Sequence, residues 1–455
     1  MRDRRIEEVL RHLHPPVGVF PDVSPHGSLV GTEVSGGDRV AKRPQRRGVP
    51  EMSPIAAIPD SVLSTEMLER FRARAGGYDR DNALFHEDFE ELRESGYLKL
   101  CVPEELGGMG ATLPRVAAEQ RRLAYHAPAT ALATNMHFYW TGVAADLERA
   151  GDSTCAWMLK EAAEGGVFAA GHGERGNDMP LLLSTTTAEP VEGGYRLTGH
   201  KGFGSLTPVW TRLGLHAMDA SDPAAPKIVH AFMKRDTEGY RIEETWDALG
   251  MRATRSDDTI LEGAFIPTED VAYVLPAGGA GMNLFVLGIF AWAETTFSSI
   301  YLGLAERAKD IAAERISSKS SMAIASGAYK HHPEYQHTFA EMMMDLDAGA
   351  ALVERYAAEW DAEIGDAGNW EPERPFKFAW RSVSMKHQAT HAAFRVVDRA
   401  IDLVGGFGVS RGGELERLFR DARMGRLHPG NFALVHELIA KVNLGIDLDA
   451  PPRWG

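Results

Sequence analysis

Apolar residues recur at helical intervals over residues 54–168. Leu68 and Phe71 lie three apart, and Phe85, Phe89 and Leu92 lie four and three apart, spacings that place side chains on one helix face. An alanine-rich run from residue 116 to 132 follows a glycine-rich loop and continues that character. The period then changes. Thr185-Thr186-Thr187-Ala188 and Tyr195-Arg196-Leu197-Thr198 flank Val191-Glu192-Gly193-Gly194, two strand-like runs about a Gly-Gly turn, which predicts a hairpin. Further strands are predicted at 213–218, 228–233 and 259–266. From Gly281 onward helical spacing returns, with helices predicted over 282–317, 335–365, 375–404 and 431–443. Long helices with short connections suggest an antiparallel bundle, and Gly405-Gly406 stands where a helix would stop and turn. The expected fold class is therefore α+β. A helical domain (54–168) is followed by a β-domain (169–275), a four-helix bundle (276–445) and a tail (446–455).

The first 53 residues differ from the rest. A short helical pattern, Arg5-Ile6-Glu7-Glu8-Val9-Leu10, gives way to a Gly/Pro-rich stretch and the basic run Lys42-Arg43-Pro44-Gln45-Arg46-Arg47. No apolar core follows the basic start, as a secretory signal would need, so residues 1–53 are expected to be a disordered arm. The 455 residues suffice for two or three domains. Hydrophobic residues at 44% and charged residues at 25% are ordinary for a globular chain. No run of about 18 uncharged apolar residues predicts a membrane span. The net charge of −15, without a basic stripe, argues against nucleic-acid binding. Cys101 and Cys155 are the only cysteines, so a disulfide framework is not expected and a cytoplasmic location fits. His331, His332 and His337 match no metal-ligand spacing, and no metal is expected.

Five segments carry candidate chemistry. They are Val102-Pro103-Glu104-Glu105-Leu106-Gly107-Gly108-Met109-Gly110; Gly173-Glu174-Arg175-Gly176-Asn177-Asp178; Lys201-Gly202-Phe203-Gly204-Ser205-Leu206; Leu249-Gly250-Met251-Arg252-Ala253-Thr254-Arg255-Ser256; and Gly405-Gly406-Phe407-Gly408, followed at Arg420-Asp421 and His428-Pro429-Gly430. Glycines in such loops let the backbone approach a neighbour or ligand closely. In this order and at these positions the segments resemble those of the acyl-CoA dehydrogenases, and the resemblance spans about residues 60–445.

That resemblance implies FAD as cofactor. Glu174 and Asn177 would lie against the flavin, Phe203 and Ser205 would supply an aromatic ring and a hydroxyl to it, and Arg252 would serve the substrate. Gly405, Gly406 and Gly408 would hold the adenosine diphosphate part of a neighbouring subunit's FAD, in a homodimer or homotetramer. Where the family often has Arg-x-x-Phe-Gly, this chain has Lys319-Ser320-Ser321-Met322-Ala323, so Lys319 would supply a point charge for phosphate.

The family's reaction abstracts an α-proton with a general base, usually a Glu at one of two places. Pro429 occupies the first and Ala293 the second. Glu294 is one residue along, a rotation of about 100° on a helix. His428 is the other candidate, since imidazole serves as acid or base near neutral pH. The first reading is α,β-dehydrogenation of an acyl-CoA or related thioester, with an acceptor such as an electron-transfer flavoprotein. The alternative is a flavin-dependent monooxygenase on the same fold, some of which carry Leu-His at the place of Leu427-His428. A third is a non-catalytic paralogue.

Overall fold

The computed structural model describes residues 58–322, 327–365 and 374–450; the arm expected at 1–53 lies outside them. Five helices come first: α1 (Thr65–Asp81), α2 (His86–Glu94), α3 (Leu113–His126), α4 (Pro128–Arg149) and α5 (Ala156–Ala163). Helix α1 begins at Ser64, whose side chain accepts from the Met67 N–H, and ends at Asn82 in the left-handed region. Helix α4 has little polar face to spare and is buried along nearly its whole length.

Eight strands follow: β1 (Phe168–Gly171), β2 (Thr187–Val191), β3 (Gly194–Gly204), β4 (Arg212–Asp219), β5 (Lys227–Lys234), β6 (Tyr240–Glu243), β7 (Asp257–Pro267) and β8 (Val271–Pro276). The sheet order is β6-β7-β3-β2-β4-β5-β8, with β1 parallel to β4. Strands β2 and β3 form the predicted hairpin, with Val191 opposite Gly194 and Gly193 at φ 81°. Between Lys201 and Gly204 the β3–β7 register shifts. Phe203 sits in that irregularity at φ 60°, a conformation a bulky side chain rarely adopts. The bulge turns the end of β3 out of the regular ladder.

The C-terminal part holds α6 (Leu284–Ser318), α7 (Pro333–Ile364), α8 (Arg374–Val404), α9 (Glu414–Met424) and α10 (Phe432–Leu444). Helix α6 is the hub and packs against α3, α4, α7 and α8. By length and composition it could cross a membrane, yet 83% of its apolar window is buried inside the protein. Its approach to α4 is close enough that a Cβ on Gly142 would stand 2.4 Å from the Trp292 ring. Buried Asp146 of α4 accepts from the indoles of Trp292 (2.6 Å) and Trp360 (2.8 Å), tying α4, α6 and α7 together. Desolvation pushes its carboxyl up to about 6 against those two donors. In the sequence the stretch containing α9 stands out by its motif residues and not by apolar spacing. Leu415, Leu418 and Ala422 are nonetheless buried at helical intervals there.

Candidate active site

A cavity of about 230 Å³ lies where α4, the edge of the β-domain, α6 and the 424–429 turn converge. Leu132 and Met136 of α4 and Ile289, Phe290 and Phe297 of α6 make it largely apolar. Few polar groups reach it, so each has a marked effect on what the cavity accepts.

His428 lines the cavity beside Pro429. Its ring stacks on Phe297, centroids 4.6 Å apart and planes 9° apart. Its Nε2 is 2.7 Å from the hydroxyl of buried Tyr301. Burial, and then the Lys386 ammonium, push its imidazole down to about 3, so it is neutral across the physiological range. Burial holds the Tyr301 hydroxyl well above its usual value, so the phenol keeps its proton. With Tyr301 donating to Nε2, the imidazole's own hydrogen sits on Nδ1.

Glu294 also lines the cavity, together with Ala293. The one-residue offset does not remove it from the site, because a glutamate is long enough to reach across the rotated face. Its side chain is buried and Oε2 has no hydrogen-bond partner among the described residues. Desolvation raises this carboxyl above the usual range, opposed by the nearby Lys386 ammonium. Lys386 is itself buried and donates to the carbonyls of His428 (3.0 Å) and Gly430 (3.2 Å). Gly430 has φ 75°, and a Cβ there would lie 3.5 Å from Glu294 Oε1. One lysine thus braces the turn that carries His428 and balances the carboxylate opposite.

The β-domain wall presents a chain of hydroxyls. Thr254 donates to the Met251 carbonyl (2.9 Å), Ser256 is 2.7 Å from Thr254, and Ser205 is 2.8 Å from Ser256. Because the chain ends on a carbonyl, each hydroxyl donates toward it, and Ser205 keeps acceptor capacity. Phe203 lines the same wall, 69% exposed, edge-on to Trp246. These two candidates meet at the cavity, and a flat heteroaromatic ring fits an aromatic edge beside an acceptor.

The other candidates are elsewhere. Glu174 and Asn177 do not line the cavity. Glu174 pairs with the buried Lys201 ammonium and accepts from Ser184, Thr186 and Asn177. Despite desolvation, the Lys201 charge and these donors hold its carboxyl down at about 2. Asn177 also donates to the Leu183 carbonyl and accepts from the Met179 N–H. Both side chains close a loop in place of facing a ligand. Arg252 donates to the Asp79 and Ala248 carbonyls and pairs with Asp247, bracing α1 outside the cavity. Lys319 donates to the Val404 carbonyl at 3.4 Å and lies beside Gly405. Lys319 and the Gly405-Gly406-Phe407-Gly408 turn therefore meet each other and not this chain's cavity. The Arg420-Asp421 pair is used internally: Arg420 binds Asp79, and Asp421 accepts from the Met251 N–H.

Three cavity residues were missed. Tyr139, His172 and Trp246 all line it. The hydroxyl of Tyr139 and Nε2 of His172 have no hydrogen-bond partner among the described residues. His172 precedes the Gly173 motif by one residue, so that motif was drawn one position short. Tyr139 and Trp246 carry no spacing signal.

A family model for the acyl-CoA dehydrogenase C-terminal domain matches residues 295–431. The chain is 28% identical over 379 residues to YdbM of Bacillus subtilis (strain 168), named as an acyl-CoA dehydrogenase, covering 82% of this chain and 93% of that one. It is equally 28% identical over 395 residues to the amino sugar nitrososynthase DnmZ of Streptomyces peucetius, covering 84% and 92%. Other relatives are monooxygenases, one of them the oxygenase subunit of a flavin-dependent enzyme. Among solved structures, KijD3 in complex with FMN and dTDP-3-amino-2,3,6-trideoxy-4-keto-3-methyl-D-glucose superposes with a TM-score of 0.75 at 26% identity, covering 85% of this chain and 93% of that one.

Proposed function

Because the chain belongs to the acyl-CoA dehydrogenase superfamily, we propose that it is one of that superfamily's flavin-dependent monooxygenases. It would use reduced FMN and dioxygen to oxygenate an amine or aromatic substrate. The observation that carries this reading is the cavity floor. Where the dehydrogenases have a carboxylate, Pro429 stands beside a neutral imidazole whose tautomer is set by Tyr301. The nitrososynthase and monooxygenase relatives and the FMN complex of KijD3 support it.

Reduced flavin supplies the two electrons that split dioxygen, one atom going to the substrate and the other to water. For an amine the balance is RNH2 + O2 + FMNH2 → RNHOH + H2O + FMN. The chain's own residues do the rest. Ser205 offers an acceptor to a ring N–H, and Phe203 and Trp246 flank the same wall. The apolar lining from α4 and α6 excludes water and receives the body of the substrate. His428, neutral, can donate a hydrogen bond from Nδ1 to the oxygen that leaves as water. Glu294, its carboxyl raised by burial, can accept the proton lost by the attacking heteroatom.

FMN takes the place of the FAD expected from sequence. A separate flavin reductase takes the place of an electron-transfer flavoprotein, because electrons must arrive rather than leave. The acyl-thioester reading keeps one specific support, Glu294 on α6 within the cavity, together with the likeness to YdbM.

The two readings separate in one experiment. Protein loaded with FMN is mixed anaerobically with a panel of acyl-CoAs. In parallel it is supplied with reduced FMN, ¹⁸O2 and a panel of amines and phenols. Incorporation of one labelled oxygen into a product, with no thioester bleaching the flavin, is the expected outcome. Anaerobic bleaching by a thioester would overturn the proposal.

A further inference from the structure

A buried line of hydrogen bonds ends at His172 on the cavity wall, and its direction is fixed from the far end. Leu181 holds φ 72°, a conformation a bulky side chain rarely adopts, and donates its N–H to Nε2 of His216 at 3.4 Å. Oε2 of Glu174 stands 3.7 Å from the same nitrogen, beyond hydrogen-bond reach, and already accepts from Asn177 and the Thr185 N–H. Nε2 of His216 is therefore an acceptor. Burial, and then the Lys201 ammonium, hold this imidazole well below its usual value, so it is neutral and carries one hydrogen. That hydrogen is on Nδ1, which lies 3.2 Å from Nδ1 of His172.

His172 accepts at Nδ1 and must place its own hydrogen on Nε2. Burial, and then Lys201, push it down to about 3, so it holds a single hydrogen across the physiological range. Nε2 is buried and has no partner among the described residues, although His172 lines the cavity. A buried N–H left unbonded is costly. Beside it lies Tyr139, ring centroids 6.2 Å apart and planes 27° apart. Its hydroxyl is also without a partner among the described residues, and burial holds it well above its usual value, so it keeps its proton.

These donors stand on the substrate's side. Tyr139 follows Leu132 and Met136 at helical spacing on α4, and all three line the cavity. Phe203, Ser205 and Trp246 belong to the β-domain wall opposite in role, where the flat ring is received.

We propose that the Nε2–H of His172, with the Tyr139 hydroxyl beside it, binds a carbonyl oxygen on the substrate and so selects aromatic amines that carry one. The inference rests on the reading above in taking this cavity as the substrate's. It also sets the orientation. Nε2 of His172 only donates, so it cannot receive an amine N–H. The amine is left to Glu294, whose Oε2 has no partner among the described residues. A site built to bond a polar group rejects the analogue that lacks it, because its own buried donor is then left unpaired.

The test uses the full chain loaded with oxidised FMN, so that nothing turns over. Calorimetric titration compares para-aminoacetophenone with para-ethylaniline, which differ by a carbonyl against a methylene. The ketone is expected to bind about 5–150-fold more tightly, the effect of one buried donor paired or unpaired. His172→Phe keeps a ring in the stack and should lose most of that preference; His172→Gln keeps a donor and should restore part of it. A second measurement needs no ligand. With ¹⁵N-labelled imidazoles, the signal missing from His172→Gln should be that of a ring protonated on Nε2. Equal affinity of the wild-type chain for the pair, no binding of the ketone at millimolar concentration, an unchanged ratio in His172→Phe, or a ring protonated on Nδ1 would each overturn the proposal. The wild-type ratio requires no variant to fold. Flavin bleaching by an acyl-CoA would defeat the oxygenase reading and leave this ratio and this tautomer as they are.

Discussion

Tyr301→Phe and His428→Ala, singly and together, interrogate the pair on which the proposed chemistry turns. The Tyr301 hydroxyl has one described partner, Nε2 of His428 at 2.7 Å, and Phe297 holds the ring by stacking. Removing the hydroxyl leaves the ring in place and frees the imidazole to carry its proton on either nitrogen. A hydrogen bond of this kind contributes about 0.5–1.5 kcal/mol, so Tyr301→Phe should slow product formation by about 2–12-fold. His428→Ala removes the hydrogen-bond donor itself and should cost about 10²–10³-fold. Because Tyr301 acts only through His428, the double variant should be no slower than His428→Ala alone. The assay is product formed per reduced FMN consumed, with hydrogen peroxide measured as the uncoupled remainder. Flavin consumption should persist in every variant while peroxide rises. The pH profile adds a second check. Burial holds His428 at about 3, so the wild-type rate should show no inflection near pH 6.5 from this group. Multiplying losses in the double variant, full coupling in His428→Ala, or an inflection near 6.5 that His428→Ala abolishes would each refute the reasoning.

Three further outcomes are expected. Burial raises the Glu294 carboxyl, so its stabilising contribution is complete below the unfolded carboxylate value and is lost as pH rises through the folded one; Glu294→Gln should therefore raise Tm more at pH 8 than at pH 5, and an equal change at both would count against it. Glu174→Gln leaves the Lys201 ammonium buried without its counter-charge and should destabilise by about 3–5 kcal/mol in denaturant titration; a change under about 1 kcal/mol would mean the pair is not closed as described. Gly425→Val places a Cβ about 2.9 Å from the Tyr301 ring and should cost about 1–3 kcal/mol by overpacking, with a visible loss of coupling; unchanged Tm and coupling would show that the 424–429 turn is looser than described.

Much of the architecture is legible in apolar spacing. The 3.6-residue period of α1 and α2, the alternation on either side of Gly193, and the long periodic runs of α6 to α8 are properties of neighbouring residues, so they can be read locally. Segment order and motif residues carried the superfamily, which the comparisons bear out. The site is a different matter. Phe203, Glu294 and His428 come from a strand bulge, a helix and a turn spread over more than 200 residues of chain, and only packing brings them to one cavity. Periodicity placed Glu294 off the face of Ala293, but the length of its side chain and the close seat of Gly430 put the carboxylate at the cavity. Glu174 and Arg252 sat in motifs that pointed to ligands, and folding set Lys201 and Asp247 against them. A sequence motif records which charged group is present. Which partner neutralises that charge depends on through-space distances of a few ångströms, and those are decided by the tertiary structure.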